Sequence, residues 1–124
     1  MRKLLFAICF FTVTTLGGTE AALAHAFLDH ANPAVGAKLT APPPSLVLTF
    51  TEPLEGDQYE IVVLDGAGHR LASNADKGAS LNFDTITIPL PKLAVGAYRV
   101  TWRVNPGPGH ETSGDYHFQV VSGH

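Results

Sequence analysis

The sequence is almost without sulfur. Its one cysteine, Cys9, and its one methionine, Met1, both fall within the first nine of 124 residues. Everything after Cys9 therefore lacks disulfides, thiolate metal sites and the thioether donors that suit Cu(I). Positive charge is also scarce. Eight Lys and Arg against eleven Asp and Glu leave a net charge of −3 with no basic stripe, which argues against nucleic acid as a partner. No glycine loop of the phosphate-cradling kind occurs, and no internal repeat. The apolar run from Leu4 to Leu16 falls short of the roughly 20 residues that a membrane-spanning helix needs.

That run has a different use. Arg2 and Lys3 precede it, Gly17, Gly18 and Thr19 break it, and Ala22-Leu23-Ala24 then supplies the small–x–small pattern that signal peptidase reads. The pattern predicts an export signal over residues 1–24, cleaved after Ala24, and a single mature domain over residues 25–124. Cleavage removes Arg2, Lys3 and Glu20 and takes the formal charge to −4. It also turns His25 into residue one.

Between turns, the mature segment reads as β-structure. Gly and Pro recur about every 8–12 residues, the cue for a sandwich or barrel. "SLVLTF" sets Leu46, Leu48 and Phe50 against Val47 and Thr49. "QYEIVVLDGAGHRLAS" predicts two strands about a turn at Asp65–Gly68, its glycines supplying positive φ. "LNFDTITIPLPKL" carries a further strand pattern ending at Pro89 and Pro91. "GAYRVTWRV" places Tyr98, Val100, Trp102 and Val104 on one face, and "DYHFQVV" places Tyr116, Phe118 and Val120 inward with His117 and Gln119 outward. No mature segment sustains a helical period. The expected fold class is all-β, an antiparallel β-sandwich of about seven strands.

Six histidines are then the main chemical resource. As residue one, His25 offers a ring nitrogen and an α-amine whose pKa near 8 lets a strongly Lewis-acidic ion displace its proton. A second imidazole completes three nitrogen donors in a near-planar T, a set that suits tetragonal Cu(II). His110 is the best second ring, because it sits in "NPGPGHETSG", a long loop before the last strand. His30 is five residues from His25 and can reach the same end; His117 reads as a surface strand residue. His69 in its turn and His124 at the terminus read as solvated. Asp29, Glu52, Glu55 and Asp57 form an acidic rim or simply a solvated turn. Ser113, His110 and Asp115 lie on one stretch without a nucleophile elbow, so no catalytic triad is expected.

"HAFLDHANPAVGAKLTAPP", "LVLTFTEPLEG", "LDGAGH", "LAVGAYRVTWRV" and "HETSGDYHFQV", in that order, resemble the CopC copper-resistance proteins over essentially the whole mature chain. The resemblance implies an immunoglobulin-like Greek-key β-sandwich, exported to the periplasm, that binds and carries copper without catalysing a reaction. It implies a Cu(II) site made by the amine and ring of the N-terminal histidine plus an Asp-x-His pair. His25 and His110 match the two histidines, but the aspartate position is Pro108, which has no donor. A fourth ligand would then come from water, His30, His117, Glu111, Asp115 or Asp29. The expected partners are the copper ion and a membrane copper importer or another copper-handling protein. Two other classes fit less well: a sandwich interaction module without metal, and a small histidine-brace copper oxygenase.

Overall fold

The computed structural model describes residues 28–54, 58–104 and 111–123. Nine strands occur among them, with no helix: β1 Leu28–Asn32, β2 Lys38–Leu39, β3 Ser45–Phe50, β4 Tyr59–Asp65, β5 Arg70–Ser73, β6 Ser80–Asn82, β7 Thr85–Pro89, β8 Gly96–Val104 and β9 Thr112–Val120. They form two sheets, one in the order β1-β3-β7-β6 and the other β2-β9-β8-β4-β5. Neighbours such as β3 and β7, or β4 and β8, are distant in sequence, so the chain crosses repeatedly between sheets in Greek-key fashion.

Alternation along each strand explains why these sheets stack. In β3, Leu46, Leu48 and Phe50 are buried while the residues between them are not. Ile86 and Ile88 of β7 continue that apolar face. Opposite them lie Ile61 and Val63 of β4, Val100 and Val104 of β8, and Tyr116, Phe118 and Val120 of β9. Each fully buried aliphatic side chain contributes about 1.5–3 kcal/mol relative to exposure, so the two inner faces hold the sheets together. Among the described residues, Thr112 Oγ1 is the buried side-chain polar atom left without a partner; the others are satisfied. The Tyr116 hydroxyl donates to the Pro33 carbonyl at 2.8 Å, and burial pushes its phenol pKa well up, keeping it neutral.

The strand count exceeds the expected seven or so because the extra elements carry little pattern. Strand β2 has two residues and runs parallel to the edge of β9, with Gln119 N–H donating to the Ala37 carbonyl at 2.8 Å. In β1 the alternation is broken by a bulge. Leu28 pairs with Phe50 and His30 with Thr49, so Asp29 is the extra residue and both Asp29 and His30 face solvent. "LNFDTITIP", read as one strand, is a hairpin instead: Asn82 pairs with Thr85 around Phe83 and Asp84. Phe83 takes a φ of +61°, where glycine is the ordinary choice, so composition hides the turn. Two bonds hold it there: Leu54 N–H donates to the Phe83 carbonyl and Phe50 N–H to that of Asp84, both at 2.9 Å. In the β4–β5 turn only Gly68 has positive φ, at +87°, while Gly66 does not.

One glycine is fixed by space rather than by φ. Gly114 pairs with Trp102, and a Cβ built on it would stand 2.7 Å from the indole Cζ2. The indole lies across that gap and meets Phe50 edge-on, with ring centroids 5.8 Å apart and planes at 78°. Gly114→Ala should therefore displace the indole and cost about 1–3 kcal/mol, as overpacking does. Denaturant unfolding of the purified variant measures this; an unchanged midpoint would mean that the indole is free to shift.

Candidate metal centre

The strand registers define one end of the sandwich at which several chain segments meet. Leu28 opens β1 opposite Phe50, the last residue of β3. Phe50 touches Trp102 across the sheets. Two residues beyond Trp102, Val104 closes β8; it pairs with both Tyr59, the first residue of β4, and Thr112, the first of β9. The segment 105–110 leaves from Val104 and returns at Glu111. The β6–β7 turn arrives at the same end through its bonds to Phe50 and Leu54.

The two principal ligand candidates, His25 and His110, lie outside the described residues, as do Pro108, Glu55, Asp57 and His124. Their described neighbours do not. Leu28 follows His25 by three residues and Glu111 follows His110 directly, and both belong to this end. Three residues span at most about 10 Å, roughly the spacing of two stacked sheets.

The secondary candidates divide by position. His30 and Asp29 sit at the β1 bulge, one register step from that end, with the His30 Nδ1 and Asp29 Oδ2 3.1 Å apart. Glu111 is at the end itself, 3.3 Å from Arg103 Nη1, and the other η nitrogen of Arg103 donates to Glu60 at 2.7 Å. Asp115 is four residues beyond Glu111, on the outer face of β9, where Arg99 Nε donates to it at 3.0 Å. His117 is exposed on the same face opposite Arg99, five residues from Thr112 or about 17 Å along the strand. The structure thus brings Asp29, His30 and Glu111 near this end and leaves Asp115 and His117 down the outer face. Among the described residues, no group of three or more His, Cys, Asp or Glu is close enough to hold a metal ion.

The sequence reading placed Glu52 in an acidic rim or a solvated turn. It is exposed two residues past Phe50, at this same end, and among the described residues it has no ion-pair partner. Its signal was positional: the neighbouring Leu54 is buried and anchors the segment there.

An open cleft of about 300 Å³ on the outer face of the second sheet is lined by Glu60, Arg99, Thr101, Arg103, Ser113 and Asp115 among others. Its charges close on one another. Both arginines are engaged by carboxylates, so the cleft offers no uncompensated positive charge to a ligand.

His69 belongs to the opposite end and to the turn. Asp65 Oδ1 accepts the N–H groups of His69 and Ala67, each at 2.9 Å, and its Oδ2 lies 3.3 Å from the His69 ring. The bond from the His69 backbone, first among these, holds the Asp65 carboxyl below its ordinary pKa against some desolvation.

Comparison with known proteins agrees with this architecture. Residues 28–121 match the CopC domain family. Protein YobA of Escherichia coli K12 is 30% identical over 120 residues, 96% of this chain and 95% of that protein. The crystal structure of CopC from Methylosinus trichosporium OB3b superposes with a TM-score of 0.69 at 31% identity, covering 81% of this chain and 97% of that one. PcoC from Escherichia coli, described as a methionine-rich copper resistance protein, shares the fold with a TM-score of 0.57 at 24% identity, covering 77% and 98%. The chain belongs to the CopC family.

The Asp65 turn makes a pH prediction with a definite sign. A carboxyl whose folded pKa is depressed adds stability above its unfolded value, near 3.8, and loses it as pH falls through the folded value. Asp65→Asn keeps an acceptor oxygen but no charge. Denaturant midpoints taken from about pH 5 down to about pH 2 should fall less steeply for the variant than for the unaltered protein.

Proposed function

We propose that the protein is exported to the periplasm, loses residues 1–24, and binds Cu(II) as a copper carrier or buffer in copper tolerance or delivery, without catalysing a reaction. The observation that carries this reading is the shared end of the sandwich: Leu28 enters it from one sheet and Glu111 from the other. The chain neighbours of His25 and His110 are thereby set within reach of each other. Membership in the CopC family and likeness to a solved copper resistance protein support copper as the cargo.

The donor chemistry points to the oxidised ion. With no sulfur after Cys9, only nitrogen and oxygen are on offer. The His25 amine and ring close a chelate, and the His110 imidazole supplies a third nitrogen, a set suited to tetragonal Cu(II). Pro108 removes the carboxylate that a neighbouring aspartate would give. Water or a carboxylate or imidazole at this end, from Glu111, Asp29 or His30, takes the fourth position. Asp115 and His117 are less suited, since both sit down the outer face. A membrane copper importer or another copper-handling protein is the natural recipient.

Copper titration of the protein beginning at His25, followed by its EPR spectrum, tests the reading against the same protein with one glycine added in front. One tight site with nitrogen hyperfine structure, lost on extension, is the expected result. Weak, multi-site uptake by both proteins would overturn it.

Single substitutions sharpen the assignment. His110→Ala should weaken Cu(II) by about a hundredfold or more, because losing a ligand costs more than the roughly 10–100-fold lost with an outer partner. His69→Ala, at the far end, and His117→Ala should leave affinity within about twofold. Equal losses in His69→Ala and His110→Ala would place the metal elsewhere.

A further inference from the structure

The two outer faces of the sandwich differ in charge. On the second sheet, Glu60, Arg99, Arg103 and Asp115 turn outward and pair with one another. On the first sheet, no Lys, Arg, Asp or Glu stands at an outward position of β3, β6 or β7. Register sets their outward residues in two rows: Val47, Thr87 and Ser80 form one, Thr49, Thr85 and Asn82 the other. The edge strand β1 brings the one carboxylate, Asp29, beside the His30 ring.

The hydroxyls of this face bond to the protein itself. Thr85 Oγ1 donates to Asp84 Oδ1 at 2.9 Å, which leaves Thr49 Oγ1, 3.3 Å away, as the donor to Thr85. Hydroxyls already paired in this way lose less when water is excluded. At the rim stands Phe83, 69% exposed and held at positive φ. The fold gains nothing from a phenylalanine there, since glycine would relax the backbone and remove an exposed ring. A costly backbone beneath an exposed ring points to a contact outside the chain.

We infer that the outer face of the first sheet is the interface of a two-fold homodimer, in which two copies stack β3 and β7 face to face. A chain of net charge −3 repels its own copy. On this face two copies meet without opposing like charges or stripping water from ion pairs. Its Ser, Thr, Val and Asn side chains are small enough for sheets to close to the usual spacing of about 10 Å. The two-fold operation uses the same patch on both copies, so assembly stops at two. Area sets the strength. Four strands about 4.8 Å apart and about 17 Å long cover roughly 300 Å², short of the roughly 800 Å² per partner of a stable complex. The dimer is therefore weak and forms only at high concentration.

Sedimentation equilibrium of the protein beginning at His25, from about 10 μM to about 1 mM, tests this. The weight-average mass should rise from that of one chain toward that of two. Added salt should not reduce the rise, because salt screens only the net repulsion. Thr87→Lys sets like charges against each other across the interface and should hold the protein monomeric throughout, with its denaturant midpoint kept. Ser80→Lys, at an exposed position of the same row, should weaken the dimer without touching a half-buried site. Ser113→Lys, on the outer face of the second sheet, should leave it unchanged. A monomer at every concentration would overturn the inference and leave the face for a partner of another kind. A dimer that survives both Thr87→Lys and Ser80→Lys, or that salt or Ser113→Lys dissolves, would overturn it too, because the contact would then lie elsewhere.

Discussion

The Trp102 indole, laid across Gly114 and set edge-on against Phe50, is the contact on which one whole end of this molecule depends. It joins the last residue of β3 to a residue two positions before the end of β8. Strand β1 is registered to Phe50, and the β6–β7 turn is hydrogen-bonded to it. Glycine at 114 is the condition for this, because any side chain would occupy the space of the ring. The contact therefore ties the ends of β3 and β8 together beside the start of β1.

The arginine–carboxylate pairs of β8 lie on the outer face of the second sheet, and Arg103–Glu111 brings one of them to that end. Arg99 with Asp115, and Arg103 with Glu60 and Glu111, run along the outer face of the second sheet, half-exposed and paired. Surface pairs of this kind contribute little, from about zero to 1 kcal/mol each. They do occupy carboxylates that would otherwise be free for a cation. A buried hydroxyl without a partner faces the other way, into the gap between the sheets. The absence of sulfur after Cys9 leaves nitrogen and oxygen as the donors of the rest of the chain.

Period-two alternation made β3, β4, β8 and β9 legible from the sequence, since their buried residues recur at every second position over most of each strand. The strands that escaped have physical reasons. The Asp29 bulge turns two successive residues outward and erases the alternation of β1. Two-residue β2 exists only as a parallel addition to β9, and the β6–β7 turn is built on phenylalanine at positive φ, held by bonds from a distant segment. Among the secondary ligand candidates, sequence separation was a poor guide. His117 is seven residues from His110 but down the outer face, whereas His30, eighty residues before His110, sits one register step from the shared end.

What the sequence by itself determined is the class of the fold and the inventory of donors. Alternating apolar residues between turn formers point to an all-β sandwich or barrel, and a chain without sulfur after Cys9 has only nitrogen and oxygen to offer. What only the tertiary structure decided is which of those donors share a place. Register between strands far apart in the chain, and the stacking of β1 over β9 and β3 over β8, are settled by long-range packing. Local sequence carries no record of that packing, because each strand can pair and stack with any partner that presents a complementary face.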